Sequence, residues 1–246
     1  MSNLLSVFPR IVLLAAVVFS LPHTLARAAG RTNSEKPTVN TSALAELRQA
    51  VGAVATVAPA KGAAAFQQAS FRKRPLPEVS FGSSGVTVVW PNKRRVVFHN
   101  VHPHTVDDES KVITHRYGGT EPLTGLLWIT KDRYEHTEQL LTSQANEKVT
   151  EVANEPQINR SGTLLFAKQN DCFVVSEDCH PGFQLWRITK GTLKLLKDVQ
   201  LQNCFVVSGG WISATTVRIE TASLQDMMSG KRVADMKRQF FDVTVR

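Results

Sequence analysis

The sequence predicts an all-β fold of antiparallel meander sheets, and three observations predict it. From about Gly85 onward, short apolar or alternating runs of three to eight residues recur, rich in Val, Ile, Phe, Trp and Thr. Turn signals separate them, among them Pro91-Asn92, Gly118-Gly119, Pro181-Gly182, Lys190-Gly191 and Ser229-Gly230. Runs of this length, composition and spacing read as strands joined by hairpins. The stretch from about 81 to 246 is also long enough to build one sizeable core.

The first segment, 1–29, has the zones of an export signal. Arg10 supplies a positive n-region, Ile11 to Leu21 is an apolar run of eleven residues, and Ala26 and Ala28 fit an A-x-A cleavage pattern. Cleavage there starts the mature chain at Ala29 or Gly30. The run is shorter than the roughly 20 apolar residues of a spanning helix, and no later stretch is long and apolar enough to cross a bilayer. The expected location is therefore the periplasm or the outside of the cell. Removing 1–29 takes away Arg10 and Arg27 and no acid, so the formal charge falls from +8 to +6. Export turns this basic balance away from nucleic acid and toward anionic surfaces such as envelope polymers or lipid head groups.

Residues 30–80 are rich in Ala, Thr, Ser, Gln and Pro and poor in large aliphatics. They read as a flexible, partly helical arm before the folded domain. Ser42 to Val54 is its helical part, with Thr41 or Ser42 as N-cap and Leu44, Leu47 and Val51 on one face. Arg72 to Pro77 reads as an extended linker.

Strands follow at Val86–Trp90, Arg95–Asn100, Val112–Tyr117, Gly125–Thr130, Glu138–Thr142, Lys148–Val152, Thr163–Lys168, Phe183–Ile188, Leu193–Val199, Phe205–Val207, Val217–Glu220 and Gln239–Val245. Leu224 to Met228 reads as a short helical turn. The four tryptophans, Trp90, Trp128, Trp186 and Trp211, sit on or beside these strands, where packing between sheets explains them.

The run Pro156-Gln157-Ile158-Asn159-Arg160-Ser161-Gly162-Thr163-Leu164-Leu165-Phe166 resembles the hairpin of WD40 and TolB-like propeller repeats. Ser161-Gly162 stands at the tight turn, and Leu164 and Phe166 point back into the blade. Asn159-Arg160 replace the usual Ser-Pro of that pattern, and its Asp is missing. Phe183 to Ile188 is similar to the strand that follows such a hairpin, and Trp211 to Ile219 to the start of another. The stretch from about Val86 to Glu220 resembles a group of small exported bacterial proteins with such repeats. The resemblance implies a partial or small propeller of three to four blades, at roughly 40 residues per four-stranded blade. It implies no activity, because propellers host many functions.

Two clusters are candidate sites. His99, His102, His104 and Asp107 combine imidazoles and a carboxylate, which ligate zinc and similar divalent ions. Three of the six histidines beyond residue 29 lie there. The alternative is a polar loop between two strands. Cys172, Cys179 and Cys204 are disulfide candidates in an oxidising compartment, with all three pairings open.

No G-x-S-x-G, H-E-x-x-H or phosphate-binding glycine loop is present. The sequence favours a non-catalytic binding module of the cell envelope, with an envelope protein or anionic polymer as partner and no cofactor. The alternative is a metal-dependent enzyme or metal-binding protein built on the histidine cluster.

Overall fold

The computed structural model describes residues 41–69, 77–133, 137–154, 156–169 and 181–246. They form a mostly β fold of four antiparallel sheets. The first described element is helix α1 (Thr41–Val51). Three strands follow: β1 (Ala55–Ala60), β2 (Gln68–Ala69) and β3 (Glu78–Gly82). The first sheet is β3 with β4 (Gly85–Val89) and β5 (Arg95–His99). The second is β6 (Thr114–Thr120), β7 (Leu127–Asp132), β8 (Thr137–Ser143) and β9 (Asn146–Val152). The third runs through β10 (Gln157–Asn159), β11 (Leu164–Gln169), β12 (Gly182–Thr189) and β13 (Thr192–Gln200), with β2 beside β10. The fourth runs β14 (Cys204–Trp211), β15 (Thr216–Ser223) and β16 (Gln239–Val245), and β1 completes it beside β16. Helix α2 (Leu224–Met228) lies in the β15–β16 connection.

Consecutive sheets share cores. Val86, Val88 and Phe98 of the first sheet meet Leu127, Ile129 and Leu140 of the second. Leu141 of the second, with Leu126 just before β7, meets Ile158, Leu165 and Trp186 of the third. Leu164, Phe166, Phe183 and Leu185 of the third meet Trp211, Val217, Ile219, Phe241 and Val243 of the fourth. No core cluster joins the first sheet to the fourth among the described residues.

This explains the texture of the sequence. β11 has apolar neighbours on both faces: Leu164 and Phe166 point one way and Leu165 and Ala167 the other. It therefore reads as an unbroken apolar run. β16 buries Phe241, Val243 and Val245 and leaves the residues between them partly exposed, so it alternates.

One expectation changes. Residues 41–60, read as part of an arm outside the folded domain, belong to the fold. Leu47 and Val51 of α1 are fully buried against Leu201 and Val199, beside Ala55 and Val57 of β1. β1 pairs with β16 along its whole length, from Ala55 opposite Val245 to Ala60 opposite Phe240. Small residues and Pro59 hid this strand. Proline is tolerated because β1 lies at a sheet edge. Residues 1–29, including the proposed export signal, lie outside the described residues.

Candidate functional site

The histidine cluster sits in the connection between β5 and β6. His99 ends β5, and Pro103 opens a single 3-10 turn, Pro103–Thr105, instead of continuing the strand. The rings of His102 and His104 stack at 5.4 Å with an interplanar angle of 11°. His102 Nε2 lies 2.6 Å from the Ser83 carbonyl, which requires a proton on that nitrogen and removes it as a ligand atom. Asp107 is exposed. Neighbouring Asp108 caps the next turn, accepting from Ser110 N at 2.9 Å and Ser110 Oγ at 2.7 Å. These bonds hold its carboxyl below the usual range. The fold thus brings His102 and His104 together. Among the described residues no three His, Cys, Asp or Glu side chains converge as a metal would need.

Cys204 is a free, buried thiol, so a bridge through it is not part of this structure. Burial, followed by the nearby Glu46 carboxylate, pushes the thiol up to about 12. A thiol so held is neutral and unreactive at neutral pH. Cys172 and Cys179 lie outside the described residues.

The meander topology gathers another site. Antiparallel strands send alternate connections to opposite ends of the sheets. At one end, here the turn end, the connections touch in series. Arg94, in the β4–β5 turn, donates from Nη1 to the carbonyl of Ser143 at 2.9 Å, reaching the β8–β9 turn. Ser143 Oγ donates to the carbonyl of Gly191 in the β12–β13 turn at 2.8 Å. A Cβ at Gly162, in the β10–β11 turn, would lie 3.1 Å from Thr124 and 3.4 Å from Leu123, both in the β6–β7 connection. Asn159 Nδ2 donates to the carbonyl of Ala214 in the β14–β15 turn.

These turns carry Lys93, Arg94, Arg95, Arg160 and Lys190, with Arg187 close behind on β12. Among the described side chains the acid on these turns is Glu121, which is 1 % exposed and directed inward. Its carboxylate accepts from Leu123 N at 3.0 Å, Thr124 N at 2.6 Å and Thr124 Oγ1 at 2.6 Å. Lys93, Arg95, Arg160 and Lys190 have no carboxylate partner among the described residues. Lys93 and Lys190 both take positive φ, 67° and 50°. Non-glycine residues rarely adopt that region. With Gly191 at 76°, Lys190 forms a tight turn that holds its side chain outward.

The opposite, loop end has a different electrostatic character. Lys131 and Arg133 meet Glu138 at 2.6 and 3.1 Å. Arg116 meets Asp132 at 2.6 Å, and Lys231 meets Asp226 at 2.7 Å. The Arg116 guanidinium holds the Asp132 carboxyl below the usual carboxylate range, chiefly through their hydrogen bond.

Sequence reading missed the turn end because its cations are scattered from Lys93 to Lys190, and only the strand order collects them. The short burst Lys93-Arg94-Arg95 was the one local sign. Among the described residues no helix is long and apolar enough to cross a membrane. No family model, curated protein or solved structure matches the chain.

Proposed function

We propose that this chain is an exported, non-catalytic binding module of the cell envelope, and that it holds an anionic partner against its turn end. The observation that carries this reading is the set of cations on touching turns, with Glu121, the acid on those turns among the described side chains, buried. Like charges gathered on one face attract an opposite partner and raise its rate of encounter. Successive meander sheets with shared cores, and an N-terminal strand completing the last sheet, support a small or partial propeller as the architecture.

The test is retention on an immobilised polyanion, with polyphosphate as the probe. The combined variant Lys93→Glu, Arg160→Glu and Lys190→Glu is expected to elute at much lower salt than the parent. The matched loop-end variant Lys231→Glu, Arg232→Glu and Lys237→Glu is expected to elute much closer to it. Equal shifts in both variants, or no retention of the parent, overturn the reading. Stoichiometric zinc lost on His102→Ala with His104→Ala replaces it with the metal-dependent alternative. Export is checked by the N terminus of the secreted protein, expected at Ala29 or Gly30.

A further inference from the structure

We propose that the anionic partner of the turn end is a lipid surface, entered by Leu123 while the surrounding cations meet the head groups; this rests on the binding reading above. Leu123 is 68 % exposed, level with Met228 and Phe81 among the described large hydrophobic side chains. A lone exposed leucine is ordinary. This one is distinguished by what supports it.

The buried Glu121 carboxylate is bonded entirely within the loop that carries Leu123, to Leu123 N, Thr124 N and Thr124 Oγ1. The Glu121 carbonyl also accepts from Gly125 N at 2.9 Å. A buried charge is retained only where such bonds compensate its desolvation. Here they fix a tight loop whose tip is apolar and points to solvent. Two flanking turns seat against that loop, Arg160–Gly162 beside Leu123 and Lys190-Gly191 beside the Thr124 carbonyl. Each brings an exposed cation with no carboxylate partner among the described residues. The result is an apolar tip between cations on a fixed base.

That arrangement matches the two-part chemistry of an anionic bilayer surface. Apolar contact reaches past the head groups, and lysine and arginine meet phosphate within a Debye length. A soluble polyanion would use the cations and leave the leucine without a role. The loop end also exposes Met228 and Val233, but Lys231 and Arg232 beside them are already paired with Asp226 and Asp235.

The experiment is sedimentation of the processed chain with vesicles of equal parts phosphatidylglycerol and phosphatidylcholine, with pure phosphatidylcholine vesicles and soluble polyphosphate as parallel arms. The expected result is reversible, salt-sensitive binding to the mixed vesicles and little to the neutral ones. Leu123→Ser is expected to weaken vesicle binding by roughly tenfold, the scale of losing one buried aliphatic side chain, with polyphosphate binding unchanged. Leu123→Trp is expected to strengthen vesicle binding. Arg160→Ser with Lys190→Ser is expected to weaken both, by about fivefold per cation at the vesicle. Cooperative denaturant unfolding at the parent's midpoint checks that Leu123→Ser is folded. Vesicle binding indifferent to Leu123, or polyphosphate binding without vesicle binding, overturns the lipid assignment and leaves the binding reading standing. Failure to bind either overturns both.

Discussion

The two ends of the sheets use charge in opposite ways. At the loop end, cations and carboxylates meet in pairs: Arg116 with Asp132, Lys131 and Arg133 with Glu138, Lys231 with Asp226. At the turn end, Lys93, Arg95, Arg160 and Lys190 face solvent with no carboxylate partner among the described residues, and Glu121 is turned inward. The ends also hold their connections differently. Glu121 organises its own loop through neighbours two and three residues on. Glu46, on α1, instead reaches across the fold and accepts from the backbone N–H groups of Gln202 and Asn203. Charge satisfied within the protein contributes little to partners. Charge left unsatisfied is available to them, at the cost of self-repulsion.

The largest expected effect tests the support of the loop end. Leu47 is fully buried between α1 and the third and fourth sheets. Leu47→Ala is expected to cost about 2–5 kcal/mol in denaturant unfolding. Because α1 carries Glu46, hydrogen exchange should quicken first at Gln202 and Asn203, while Leu123 and Thr124 stay protected. Equal quickening at both ends would break the comparison.

Next comes Glu121→Gln. It removes a charged acceptor from a buried site and places an amide donor there, so about 1–3 kcal/mol is expected. Glu46→Gln, at a partly exposed position, is expected to cost less than half as much. A reversed order would show that the turn-end loop is not held by its carboxylate.

The smallest effect is a pH dependence confined to the loop end. The Asp132 carboxyl is depressed by Arg116. Its contribution is therefore present above the unfolded value and lost as pH falls through the folded one. Arg116 is mostly exposed, so solvent screening limits the contribution to at most about 1 kcal/mol. Asp132→Asn should flatten that part of the acid limb of a stability profile. An unchanged limb would show that the pair contributes nothing measurable.

Much of the architecture was legible because strand signals are local. The predicted Gln239–Val245 matches β16, Arg95–Asn100 overlaps β5 within one residue, and Leu224–Met228 matches α2. Ser161-Gly162 and Lys190-Gly191, read as turns, stand in turns, with Gly162 and Gly191 at positive φ. β1 was illegible because ATVAPA has no alternation of large side chains, and its stability comes from a partner at the far end of the sequence. The histidine cluster was legible as a cluster, since its members are neighbours in sequence. Proximity in sequence did not make ligand geometry, because Pro103 bends the segment and Ser83 takes His102 Nε2. The turn end was the reverse case: no window of sequence contains it.

The pairing of β1 with β16 has a consequence in time. The fourth sheet has its first strand at the beginning of the described fold and its last at the end. A chain emerging from a ribosome therefore cannot finish that sheet until β16 has been delivered. α1 and β1 must wait with their apolar faces uncovered. Contacts this distant in sequence slow folding and lengthen exposure to aggregation. The small, alanine-rich composition of β1 makes it a less adhesive segment while it waits than a strand of valines and isoleucines would be. The same feature that hid the strand from sequence reading thus lessens the hazard of its long wait.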